Sequence, residues 1–198
     1  MTRFFALAAA AASLLGTASF AQAAIWPDPV DPWTRQPLVQ QGDETAQAAP
    51  IPREVVEFEG RQAPGTIVVS TSERRLYYVL GGGQAIRYGI GVGRPGFEWA
   101  GVKTVTAKQE WPAWTPPAEM LKRRPDLPRH MRGGIENPLG ARALYLFDGN
   151  RDTLYRIHGT NEPEKIGRAV SSGCIRMRNI DVVDLYNRVP VGAKVIVR

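Results

Sequence analysis

From Thr66 to the end of the chain, short runs of β-branched and aromatic residues follow one another, each cut off by glycine, proline or a polar turn. "TIVVS" (66–70), "LYYVL" (76–80) and "AIRYGIG" (85–91) are separated by a polar turn and by "GGGQ", and each is too short and too rich in β-formers to be a globular helix. "KTVTAKQE" (103–110) alternates apolar and polar residues, the pattern of a half-exposed strand. "RALYLF" (142–147) and "TLYRIH" (153–158) flank "DGNRD", a strong turn, and "AKVIVR" closes the chain as a further strand. Helical signals are confined to two places. "TPPAEMLKRR" predicts a short helix over about 117–123, with proline at its start and Glu119 in its first turn. "NIDVVDLYNRV" predicts a better one, with Asn179 as cap and Val182, Leu185, Tyr186 and Val189 at helical spacing. Many strands with one or two short helices imply a mainly β domain, sandwich or barrel-like.

The domain does not fill the chain. Residues 1–23 carry Arg3, an apolar run from Phe4 to Leu15 and an Ala21-Gln22-Ala23 ending, the layout of a cleaved secretory signal. The apolar core is short for a membrane span of about 20 residues, so no stable span is expected after cleavage. Residues 24–64 are proline-rich and show no sustained period, which predicts an extended linker or arm before a domain at 65–198. That leaves about 175 exported residues, enough for one domain with a proper core. A net charge of +6 favours anionic partners in general: nucleic acid, membrane headgroups or an acidic cell-envelope polymer. Export and the lack of a basic-aromatic module argue against nucleic acid.

Export makes the lone cysteine informative. Cys174, in "SSGCIRM", is the one cysteine of 198 residues. In an oxidising compartment an odd thiol is inert and buried, paired with another molecule, or reactive. If "CIRMR" is extended, Cys174, Arg176 and Arg178 share one face and Ile175 and Met177 the other. The thiol then lies beside guanidinium groups, which predicts a pKa below the free value of about 8.5. Gly173 lets a substrate carbonyl approach the backbone. A nucleophile also needs a proton acceptor, and the chain has two histidines. His158 ends a strand next to a glycine, with Leu154 and Arg156 expected on its face and Tyr155 and Ile157 opposite. His130 lies in the long proline- and glycine-rich segment 111–140, a loop long enough to carry binding function. One cysteine and two dispersed histidines fall short of a zinc site, and "GIGVGRPG" without a following helix is a weak nucleotide signal. Neither a metal nor a cofactor is expected.

The segment His158 to Tyr186, "HGTNEPEKIGRAVSSGCIRMRNIDVVDLY", resembles the signature of the L,D-transpeptidase catalytic domain (YkuD-type): H-G-T, I-G, S-x-G-C-I-R-M, then N and D-L-Y. Many members carry histidine where this chain has Ser172, so any role of that histidine in orienting substrate is absent or altered here. The resemblance implies a YkuD-like β-sandwich with a long loop over the active site. It implies Cys174 as nucleophile and His158 as general base, with the Gly159 carbonyl orienting the imidazole. Gly173 and Cys174 N–H groups would form an oxyanion hole. Arg176 would pair a substrate carboxylate or brace a loop, and Ser171, Ser172, Thr160, Trp114 and His130 are the remaining candidates for substrate contact. The implied reaction, in the periplasm or cell envelope, takes a peptidoglycan tetrapeptide stem, releases D-alanine and leaves a Cys174 thioester. An acceptor amine of a second stem or of an envelope protein resolves it. Water as acceptor would make an L,D-carboxypeptidase, and a fold without chemistry would be an envelope-binding module.

Overall fold

The structure, a computed structural model, describes residues 51–198 together with Val30 and Pro32. The predicted signal at 1–23 and the arm up to residue 50, those two positions apart, lie outside the described residues.

Among the described residues, eleven strands and two α-helices follow in chain order: β1 (Glu54–Glu57), β2 (Ile67–Ser70), β3 (Arg75–Gly81), β4 (Gln84–Gly89), β5 (Val92–Gly93), β6 (Gly101–Glu110), α1 (Ala118–Arg123), β7 (Arg142–Asp148), β8 (Arg151–His158), β9 (Ala169–Ser171), β10 (Ile175–Arg176), α2 (Asn179–Arg188) and β11 (Lys194–Val197). A 3-10 turn at Pro163–Lys165 precedes β9. Nine strands form one sheet in the order β1-β4-β3-β2-β11-β6-β7-β8-β10, and β5 and β9 pair separately. The last strand is the keystone. β11 runs parallel to β2 on one side and antiparallel to β6 on the other, so it joins the hairpin strands of the first half to those of the second.

The alternation of β2 explains how the core is divided. Ile67 and Val69 face the main core, shared with Leu144 and Leu146 of β7, Ile157 of β8, Ile175 and Met177 around β10, and Val182, Leu185 and Val189 of the α2 segment. Val68 faces the other way, into a smaller cluster with Phe58, Val79 and Ala85. All four residues of β2 are buried, as expected for a strand covered on both faces.

Two expectations are revised. Part of the segment expected as an arm is structured. Glu54–Glu57 pair antiparallel with β4, Ile51 and Phe58 are buried, and Arg53 reaches Asp184 at 3.5 Å. The fold therefore extends back at least to Ile51, because an edge strand needs only backbone pairing and two apolar anchors, and prolines outside it do not forbid either. Helix α2 also begins differently. Arg178 is its N-cap residue, with no side-chain cap, and Asn179 is the first helical residue, its amide engaged elsewhere. Its far end is held by Lys108 of β6, whose Nζ donates to the carbonyls of Tyr186 at 2.6 Å and Val189 at 2.7 Å. A cation on the last carbonyls of a helix satisfies acceptors that the helix itself cannot.

Candidate active site

The site is built where β8 and β10 run side by side. They pair in parallel, with Ile157 opposite Ile175 and His158 opposite Arg176. Ile157 and Ile175 point into the main core, so His158, Arg176 and, two residues before it, Cys174 belong to the opposite face. Cys174 thus lies one diagonal step from His158, two residues before the one that His158 faces on the neighbouring strand. The Met177 N–H donates to the His158 carbonyl at 2.8 Å and locks this register.

His158 is 4% exposed, and its Nδ1 donates to the Gly159 carbonyl at 2.6 Å. That bond sets the tautomer, with the proton on Nδ1 and Nε2 left as acceptor. Burial, helped by the positive charges of Arg176 and Arg156, lowers the imidazole pKa to about 4, while the Gly159 and Leu139 carbonyls pull the other way. The ring is therefore neutral at neutral pH. For Cys174, half-buried, the sequence expectation of a lowered pKa is overturned. Burial pushes the thiol up, and the Arg156 and Arg176 guanidinium charges and a backbone hydrogen bond from Arg156 offset only part of it. The Sγ lies 3.8 Å from the Leu154 carbonyl. The resting pair is thus neutral thiol and neutral imidazole.

A bulge in β8 shapes the rim. Between Arg156, opposite Tyr145, and Asp152, opposite Phe147, β8 carries two more residues than its partner. Leu154 takes φ +62° and is 65% exposed, with its N–H held by Asp152 Oδ1 at 2.8 Å. The even alternation expected for Leu154, Arg156 and His158 is broken there. Tyr155 instead stacks on Trp99, centroids 4.4 Å apart, and Trp99 Nε1 donates to the Gly173 carbonyl at 2.7 Å. A Cβ on Gly173, φ +107°, would meet Tyr155 at 2.7 Å. Neither aromatic was a candidate from sequence, since nothing in "GFEWAG" marks a tryptophan for this contact.

The remaining candidates divide by what they touch. Ser171 is 2% exposed; its Oγ donates to the Cys174 carbonyl at 2.6 Å and accepts from the Gly173 N–H at 3.2 Å. It braces the nucleophile loop, and in this resting state the Gly173 N–H is spent on it and not held ready for an oxyanion. Thr160, 1% exposed, accepts the Glu162 N–H through Oγ1, so it too is internal bracing. Arg176 pairs with Glu162 at 3.0 Å, while Glu162 also pairs with Lys165. Ser172 is half-buried beside Gly173. In the 111–140 segment, Trp114 forms a backbone bridge with Met131, and exposed His130 contacts Thr115 through Nδ1 at 3.2 Å. That segment reaches the histidine through Leu139, whose N–H is held by the Oδ1 of buried Asn137, a residue with no sequence signal beyond its place in "NPLG". Among the described residues no group of three or more His, Cys, Asp or Glu is placed to hold a metal ion, and no helix is long and apolar enough to cross a membrane.

With a buried, tautomer-fixed histidine diagonal to a cysteine on a glycine turn, comparison with known proteins is decisive. The family model of the L,D-transpeptidase catalytic domain (YkuD) matches residues 64–197. The chain belongs to that family. It is 43% identical over 138 residues to the probable L,D-transpeptidase ErfK/SrfK of Escherichia coli, covering 65% of this chain and 42% of that protein. It is 39% identical to the probable L,D-transpeptidase YbiS of the same organism, again over 138 residues, 65% of this chain and 43% of the relative. The chain thus matches less than half the length of these relatives. A Brucella melitensis structure described as a probable carnitine operon oxidoreductase is 49% identical, over 74% of this chain and 93% of that one, with a TM-score of 0.51. L,D-transpeptidase 3 of Mycobacterium tuberculosis shares the fold, at 21% identity over 67% of this chain and 60% of its own, with a TM-score of 0.51.

Proposed function

We propose that this chain is an exported peptidoglycan L,D-transpeptidase working through Cys174 and His158. The observation that carries the reading is the His158 imidazole, buried, neutral and fixed by Gly159 in the tautomer that leaves Nε2 free to accept, one diagonal step from the thiol within the segment matched to the family.

In the reaction, Cys174 Sγ attacks the carbonyl of the third residue of a tetrapeptide stem and its proton passes to His158 Nε2. The oxyanion takes the Cys174 N–H, joined by the Gly173 N–H once it leaves Ser171; one such donor is typically worth roughly 3 kcal/mol of barrier. The C–N bond to the terminal D-alanine breaks, the amine leaves with the proton from His158, and a thioester remains. An acceptor amine then attacks the thioester carbonyl, its proton passes through His158 to the departing sulfur, and a new amide forms. The amine belongs to another stem, giving a 3→3 crosslink, or to an envelope-protein lysine. Residues 1–23 act as the signal that delivers the domain to the periplasm.

The test is acylation by a carbapenem such as imipenem, followed by intact-mass and peptide analysis. One drug mass on Cys174, absent in Cys174→Ala, is expected; an unmodified thiol in folded protein refutes the reading. Incubation with sacculi then reports the acceptor: dimers with 3→3 links mark the transpeptidase, and tripeptide stems alone mark hydrolysis.

A further inference from the structure

Asn179 lies outside the reacting pair, and its amide is more completely engaged than a surface helix residue requires. Its Oδ1 accepts from two backbone N–H groups, Ala141 at 3.0 Å and Thr160 at 3.1 Å, and its Nδ2 donates to the Thr160 carbonyl at 3.0 Å. Room for that oxygen is made by two glycines. A Cβ on Gly159 would stand 2.1 Å from Asn179 Oδ1, and one on Gly140 2.2 Å from it. No real Cβ tolerates either distance, so both glycines are obligatory for the amide to enter.

The consequence lies in one peptide unit. The Thr160 N–H held by Asn179 and the Gly159 carbonyl that accepts from His158 Nδ1 belong to the same peptide plane. In a planar trans peptide the N–H and C=O point in opposite directions, so a grip on one aims the other. Gly159 has no side chain to restrict rotation of that plane. We infer that Asn179 is a positioning residue for the His158–Cys174 pair, acting through the Gly159–Thr160 peptide to hold the imidazole in its Nδ1–H tautomer.

The arrangement anchors the histidine to helix α2 and not to the loop alone. Asn179 is the first residue of α2, and Lys108 pins the other end of that helix to β6. The effect on rate rests on the transpeptidase reading; the effect on the tautomer does not.

The experiment compares wild type with Asn179→Ala, and with Asn179→Ser in case the alanine variant does not fold, since a serine hydroxyl is too short to reach both N–H groups. Two quantities are read: carbapenem acylation against drug concentration, and the protonation of the ring nitrogens by 15N NMR, where two histidines give two rings. A folded variant should lose roughly 10- to 100-fold in maximal acylation rate with half-saturation within about twofold, and should gain the Nε2–H form of His158. Asn179→Asp, which keeps both accepting bonds, should restore most of the Nδ1–H form. A folded alanine or serine variant with wild-type rate and wild-type tautomer overturns the inference. If wild type itself is not acylated the transpeptidase reading fails, while the ring spectrum still decides the role of Asn179.

Discussion

On the transpeptidase reading, lowering the pH from 7.5 to 4 should leave the His158–Cys174 pair competent long after an ordinary histidine would have been lost, while steadily weakening the fold. An exposed imidazole with a pKa of about 6.5 is only about one-tenth neutral at pH 5.5. His158, held down to about 4 by burial and by Arg176 and Arg156, is almost wholly neutral there and can still accept the proton of Cys174. The acid limb of carbapenem acylation should therefore lie near pH 4. The same shift is a stability statement. Between about pH 6.5 and 4 the unfolded chain binds a proton at this residue and the folded chain does not, so stability falls as pH drops through that window and levels off below it. The gap between about 6.5 and about 4 corresponds to about 3 kcal/mol, a large share of the roughly 5–15 kcal/mol by which domains are typically stable.

His158→Gln removes that proton from both states without removing the ring's place in the sheet. Urea unfolding of wild type and His158→Gln, measured at intervals from pH 7.5 to 4, should give curves that diverge by about 3 kcal/mol across the window, wild type losing more. Contributions from carboxylates elsewhere are common to both proteins and cancel. Parallel curves, or an acylation limb near pH 6.5, would refute the argument that burial governs this imidazole.

Arg176→Met removes a positive charge that lowers His158, so the acylation limb should move to higher pH; a limb that stays put or moves down contradicts the assigned cause. Gly173→Ala forces a Cβ to within 2.7 Å of Tyr155 at φ +107°, and roughly 1–3 kcal/mol of backbone strain should fall on the nucleophile loop. Its acylation should drop at least tenfold with the far-ultraviolet circular dichroism unchanged. Val195→Asp places a carboxylate at a fully buried position of the strand that links the two halves of the sheet, with an expected cost above about 4 kcal/mol. Loss of the cooperative thermal transition would be the readout, and a melting temperature within a few degrees of wild type would contradict the keystone role of β11.

The strands were readable because their signal is local. Thr66–Ser70 or Arg142–Phe147 declare themselves by β-branched and aromatic content bounded by turns, and the structure has strands at both. Their order is not local. Nothing in "AKVIVR" says that it will lie between β2 and β6, since both partners come from segments far away in the chain. β1 escaped notice because "EVVE" sits among prolines, and only its partner Gln84–Arg87 makes it a strand. Around the site, the alternation of "CIRMR" was enough to put Ile175 and Met177 in the core and Cys174 on the other face. The direction of the thiol's pKa was not. Neighbouring arginines are visible in sequence and the burial that outweighs them is not, because the bulge at Leu154 and the Trp99–Tyr155 stack come from distant segments.

The functions found for the short motif follow from the same distinction. On the proposed reading, Cys174 and His158 are the motif positions that supply reacting atoms, and the others are backbone supports. Ser171 is there because a hydroxyl can donate to the Cys174 carbonyl and accept from the Gly173 N–H at once, which alanine could do in neither direction. Gly173 is there for its φ and for the space taken by Tyr155. Gly159 admits the Asn179 amide, and Thr160 and Asn179 tie the turn after His158 to helix α2. The pattern that marks the family is therefore mostly a description of two backbone turns, residues 158–160 and 171–174, brought together by the parallel pairing of β8 and β10. Its specificity as a signature arises because backbone turns of this kind admit few side chains, whereas a bare cysteine–histidine pair would fit many folds. A neutral resting pair makes that geometry more important still. On the transpeptidase reading, without a preformed thiolate the proton must pass from sulfur to Nε2 during attack, and the rate then depends on how firmly the turn after His158 holds the ring.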